Sequence, residues 1–146
     1  MRVLVIHGPN LNMLGKRDPA VYGPDTLADI NGRIESRARE LGAEVAFFQA
    51  NGEEAIISFI QANAPGATAI IINPGAFGAY SYAIHDALLD TNLPVAEVHL
   101  SNVYARDEWR RKSVIAPMAR GVVSGFGWRG YVAALEMLVA LAQEKG

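Results

Sequence analysis

Glu97 and His99 stand two positions apart in the run Glu97-Val98-His99-Leu100-Ser101-Asn102. In a strand the two-residue period puts both side chains on one face, so the carboxylate can orient and polarise the imidazole. Such a pair at a strand end suits a general acid or base. A satisfied core histidine is the simpler account of a lone His, and the adjoining Glu, Ser and Asn weigh against it. A second group lies in residues 8–25, GPNLNMLGKRDPAVYGPD, which carry Asn10, Asn12, Lys16, Arg17, Asp18 and Tyr22 between Gly8, Gly15 and Gly23. The plain alternative there is a surface loop in which Tyr22 packs and Arg17 pairs with Asp18.

A third segment, Asn73-Pro74-Gly75-Ala76, places a side-chain amide and backbone N–H groups before a helix, an arrangement that can hold an anionic or hydroxylated ligand. Taken alone it is simply a turn that opens a helix. The charged stretch 106–112 reads as a solvated helix start, although Arg110 can also grip a substrate carboxylate with two parallel hydrogen bonds. Together these residues point to proton transfer on a polar, anionic small molecule, without metal or covalent intermediate.

Other chemistries lack their residues. With no cysteine there is no thiolate, disulfide, Cys-ligated zinc or iron–sulfur cluster. His7 and His85 show no ligand spacing, and neither G-x-S-x-G nor, in the long loop, G-x-G-x-x-G occurs. Thirteen Lys+Arg against fifteen Asp+Glu give a formal charge of −2, which argues against a nucleic-acid or anionic-membrane partner. No apolar run approaches the ~18 residues of a membrane span, and the N-terminal run is too short for a signal peptide. A soluble cytoplasmic protein is expected.

The elements that must position these groups follow from hydrophobic period. Residues 3–6, 45–48, 69–72, 95–98 and 121–124 are short runs rich in β-branched residues. The first and third are continuous, as in strands covered on both faces. Between them, residues 27–41 have helical spacing, with Thr26 as N-cap and Gly42 as stop. Helices are also predicted over 53–61, 80–89 and 130–143. Alternating strands and helices give an α/β protein with a parallel sheet. At 146 residues and 51% hydrophobic content, one domain spanning 1–146 is expected. Its natural form is a flavodoxin-like, doubly wound, five-stranded sheet of order 2-1-3-4-5, with the site at the carboxyl ends of the strands. The eighteen-residue connection after the first strand exceeds the usual ~2–6 and reads as a lid or binding loop.

These motifs are recognisable. Gly8 to Pro19 followed by Tyr22-Gly23 resembles the opening signature of type II 3-dehydroquinate dehydratases. Ile72 to Ala76 with Tyr80 to Ala87, then Glu97 to Asn102 with Arg106 and Arg110, then Gly125 to Tyr131 resemble the later blocks, in order and across nearly the whole chain. The resemblance implies a flavodoxin-like subunit in a homododecamer of trimers, converting 3-dehydroquinate to 3-dehydroshikimate without a cofactor. By position, Tyr22 is the base that takes the C2 proton. A phenol with a pKa of ~10 needs its ionised form favoured, and Arg17 is the matching cation. Asn10 helps to hold the water at the enolate oxygen, and His99, oriented by Glu97, protonates the departing C1 hydroxyl. Asn73, Leu100, Ser101 and Arg110 match substrate-binding positions, and Asp86 one that reaches substrate across a subunit contact.

The chain departs from the family pattern at Ala79, where a substrate-contacting His is usual, at Gly52 and Glu54, which replace a His and a Gly, and at His7, which replaces the Asn of the opening Asn-Gly-Pro-Asn. The departures bear on substrate affinity or identity more than on reaction type. They keep open a paralogue that dehydrates a related cyclic hydroxy-ketone. A non-catalytic flavodoxin-like binding or assembly protein is a further alternative, disfavoured by the retained Arg17, Tyr22, Glu97 and His99.

Overall fold

The computed structural model describes residues 1–145. Five strands, β1 (Arg2–His7), β2 (Glu44–Gln49), β3 (Ala69–Asn73), β4 (Val95–His99) and β5 (Gly121–Ser124), form one parallel sheet in the order β2-β1-β3-β4-β5, as expected. The helices are α1 (Pro19–Tyr22), α2 (Leu27–Leu41), α3 (Glu53–Asn63), α4 (Tyr82–Asp90) and α5 (Arg129–Lys145). Among the described residues no helix is long and apolar enough to cross a membrane.

The continuous runs in β1 and β3 have the cause assigned to them. Val3, Val5, Ala69 and Ile71 face α2 and α5, meeting Ile30, Ile34, Tyr131, Ala134 and Leu135. The alternate residues Leu4, Ile6, Ile70 and Ile72 face α3 and α4, meeting Ile56, Ile60, Ile84 and Leu88. Each fully buried Ile or Leu contributes roughly 1.5–3 kcal/mol relative to exposure, so the two layers clamp the sheet and hold its carboxyl edge rigid. α2 is closed at its start by reciprocal bonds: Asp29 N–H donates to Thr26 Oγ1 (3.1 Å) and Thr26 N–H to Asp29 Oδ2 (3.0 Å). It ends at Gly42, whose φ of 73° is the left-handed conformation glycine tolerates.

Three expectations need correction. The connection over 8–25 is not structureless: it contains a 3₁₀ turn, Leu11–Met13, and helix α1, whose N-cap Asp18 accepts from Ala20 N–H at 3.0 Å. Asp-Pro at a cap and first helical position is a helix start, and a reading of the segment as loop passes over it. The helix expected from residue 80 begins at Tyr82, because Gly75–Ala79 form a 3₁₀ turn and Ser81 caps α4 through Ile84 N–H (3.2 Å). In the charged stretch the only helical piece is the 3₁₀ turn Glu108–Arg111, not the start of an α-helix. The remaining boundaries differ by at most two residues at either end.

Candidate active site

A cleft at the carboxyl edge of β1, β3 and β4 is lined by Asn10, Arg17, Tyr22, Asn73, His99 and Arg110, together with Glu97, Leu100 and Ser101. Of the residues given a catalytic or substrate-binding role from the sequence, Asp86 alone is absent from it; that residue is exposed on α4. The connections after β1 and β3 approach closely here. A Cβ on Gly8 would stand 2.6 Å from the Pro74 carbonyl oxygen, so only glycine lets the two backbones meet. Gly8 N–H donates to Asn73 O (2.8 Å), tying the loops together. Asn10 has φ of 69°, a left-handed conformation that Asn adopts more readily than bulkier residues, and its N–H donates to Asn51 Oδ1 at 2.9 Å.

Tyr22, at the last position of α1, is half-buried against the α2/α5 core. Its hydroxyl oxygen receives Arg17 Nη2–H at 2.6 Å and Arg106 Nη2–H at 2.7 Å. Arg17 therefore serves Tyr22 and not Asp18, which is spent on the α1 cap. Arg17 also lies over the phenol ring, 3.7 Å from its centroid. Two guanidinium groups converging on one oxygen stabilise negative charge placed there. Arg106 is a site residue to which sequence reasoning assigns no role. It is 84 positions from Tyr22, and a second bond, Nη1–H to Ser101 Oγ at 3.2 Å, links it to β4.

The Glu97–His99 pair has the anticipated geometry. His99 Nε2–H donates to Glu97 Oε2 at 2.6 Å, and Glu97 is only 2% exposed. The other carboxylate oxygen accepts from Ser113 Oγ–H at 2.6 Å, while Ser113 Oγ accepts from Ile115 N–H and Ala116 N–H. Glu97 is thus pinned at both oxygens, and Nδ1 of His99 remains for a ligand. Nothing local in the sequence marks Ser113; only the turn after Lys112 brings it to β4.

Asn73 closes the floor, its Oδ1 accepting from Gly75 N–H at 3.1 Å. Arg110 lines the cleft, held loosely by Asp107 Oδ2 (3.4 Å) and laid over the Trp109 ring at 4.2 Å. Leu100 is buried with its carbonyl taken by Gly127 N–H. Of the departures at residues 79 and 52, Ala79 lines the cleft and Gly52 does not. Gly52 is exposed at the N-cap of α3.

His7, fully buried at the end of β1, is held to a pKa of about 4, chiefly because burial disfavours the imidazolium, with the Asn31 hydrogen bond opposing. Its unfolded-state value is near 6.5. Between these values the unfolded chain binds more protons, so stability is full above pH 6.5 and falls as pH drops toward 4. The loss amounts to roughly 3 kcal/mol. Urea unfolding of wild type and His7→Asn across that window is expected to show a flatter profile for the variant. Parallel profiles would assign the acid sensitivity to other groups.

Residues 1–139 match the family model described as dehydroquinase class II. A 3-dehydroquinate dehydratase of Desulforudis audaxviator is 51% identical over 141 residues, covering 97% of this chain and 94% of that protein. One from Roseiflexus castenholzii is 52% identical over 139 residues, covering 95% and 88% respectively. The crystal structure of a type II dehydroquinase from Butyrivibrio crossotus superposes with a TM-score of 0.92 at 43% identity, covering 94% of this chain and 97% of that one.

Proposed function

The chain belongs to the class II dehydroquinase family and is a 3-dehydroquinate dehydratase, a hydro-lyase, and we propose that Tyr22 is its base and His99 its acid. The reaction removes hydrogen from C2, beside the ketone, and hydroxyl from C1. The phenolate of Tyr22 takes the proton, and the C–H electron pair moves into the ketone to give an enolate. Return of that pair forms the C1–C2 double bond and expels the C1 oxygen, which leaves as water once His99 Nδ1 has given it a proton. Glu97 balances the charge of the doubly protonated ring that this donation requires.

A single observation carries the reading: Tyr22 Oη is held by two arginines in the same cleft that presents a carboxylate-bound histidine. A base cradled by cations and an acid backed by an anion are the two halves of an elimination. Asn10 is assigned to the water at the enolate oxygen. Asn73, Leu100, Ser101 and Arg110 are assigned to the substrate's hydroxyls and carboxylate. Purified protein given 3-dehydroquinate is expected to develop the ultraviolet absorbance of the conjugated enone. A flat trace would overturn both roles.

The site is proposed to be completed by assembly, in a homododecamer of trimers where Asp86 reaches the substrate of a neighbouring subunit. Its exposure on α4 and its absence from its own cleft support this. Light scattering is expected to report a dodecamer, and a monomer at micromolar concentration would remove the role of Asp86. A cytoplasmic location goes with this reading and is tested by cell fractionation.

A further inference from the structure

Behind the cleft, on the α2/α5 side of the sheet, four polar side chains from four different elements form one continuous hydrogen-bonded line. Asn31 on α2 presents Oδ1 to His7 Nε2 at 2.8 Å. An amide oxygen only accepts, so Nε2 carries the proton and Nδ1 of the neutral ring is an acceptor. Nδ1 faces the Tyr131 hydroxyl of α5 at 3.0 Å, which therefore donates to it. The hydroxyl oxygen in turn accepts Asn73 Nδ2–H at 3.1 Å. Asn73 Oδ1 then accepts from Gly75 N–H. Tyr131 and His7 are completely buried and Asn73 is 3% exposed, so none of these groups can exchange its partner for bulk water.

The line has a direction, and the direction decides how Asn73 faces the cleft. With Nδ2 fixed to Tyr131 and Oδ1 to Gly75, one N–H and one lone pair of the amide are left over. Rotating the amide by half a turn would set Nδ2–H against Gly75 N–H and cost both hydrogen bonds, the one to Tyr131 fully buried. His7 and Tyr131 line no part of the cleft, and the hydrogen-bonded line meets it at Asn73. We propose that His7 and Tyr131 are positioning residues for substrate recognition, locking the Asn73 amide in the one orientation that meets a hydroxyl of the ring substrate. The depressed pKa of His7 supports this, since an imidazolium would offer a proton at Nδ1 and leave the Tyr131 hydrogen without an acceptor.

This inference rests on the reading of Asn73 as a substrate contact, and the test separates the two. Tyr131→Phe keeps the volume and removes only the hydroxyl. It is expected to raise KM for 3-dehydroquinate about fivefold with kcat within about twofold, the cost of one loosened polar contact. In an Asn73→Ala background the same substitution is expected to change KM by less than about 1.5-fold, because the group it positions is gone. If Asn73→Ala alone leaves KM unchanged, Asn73 is not a substrate contact and that reading fails. If Asn73→Ala raises KM but Tyr131→Phe does not, the positioning role fails. Equal effects of Tyr131→Phe in both backgrounds would mean that it acts on the fold and would also overturn the proposal. Should Tyr131→Phe not fold, a pair of His7 variants decides the same question. His7→Asn keeps an acceptor for Tyr131 and is expected to hold KM near wild type, whereas His7→Leu raises it. Equal KM values for those two variants would overturn the role.

Discussion

Tyr22→Phe is expected to lose about 10³-fold in kcat while binding an unreactive substrate analogue within about threefold of wild type. The substitution removes one oxygen and leaves the ring against the core, so the shape of the cleft is kept. What disappears is the base, together with the acceptor for Arg17 and Arg106, whose N–H groups stand 2.6 and 2.7 Å from it. Those two cations then face the cleft without that acceptor, which favours an anionic ligand and offsets any lost contact. Arg17→Ala and Arg106→Ala are each expected to cost about 10²-fold in kcat, the worth of one preorganised donor at a site of developing charge. Their effects should not add to that of Tyr22→Phe, because all three act on the same oxygen. A Tyr22→Phe enzyme within tenfold of wild-type kcat would end the tyrosinate assignment. Arg106→Ala without effect would leave Arg17 as the sole electrostatic partner.

How much of this is legible in the chain depends on whether the signal is local. The N-cap at Thr26, the unbroken apolar runs in β1 and β3, and the two-residue spacing of Glu97 and His99 are written in neighbouring residues. The structure bears each of them out. The approach of Tyr22 to Arg17 spans only five positions and is reached through the family motif. Arg106, Ser113 and the line from Asn31 to Asn73 depend on contacts that only the folded sheet creates. Spacing cannot reveal them: 84 residues separate Arg106 from Tyr22, and 124 separate His7 from Tyr131. The end of β1 shows why. In the sequence, His7 is one more polar residue at a strand end. Its burial and its tautomer are fixed by helices α2 and α5, whose stripes predict a packed face but not which polar atoms that face carries.

His99→Ala is expected to lower kcat by about 10³-fold and yet to leave the first half of the reaction running. If Tyr22 removes the C2 hydrogen before the C1 oxygen departs, an enzyme without the acid still forms the enolate and returns the proton. In deuterium oxide, substrate recovered from His99→Ala should carry deuterium at C2 well before product accumulates, because half-buried Tyr22 can trade its proton with solvent. Tyr22→Phe should show neither exchange nor product. Glu97→Gln separates orientation from charge. Its amide can accept at only one position, whereas Ser113 O–H and His99 N–H both now donate to the carboxylate, so one of them meets an NH₂ group. That mismatch in a side chain 2% exposed tilts or frees the imidazole, and kcat is expected to fall about 10²-fold with exchange retained. Loss of exchange in His99→Ala, with the protein folded and still binding the analogue, would mean that proton removal and departure of the hydroxyl are one concerted event. His99 and Tyr22 would then have to act together, and the stepwise enolate would have to be abandoned.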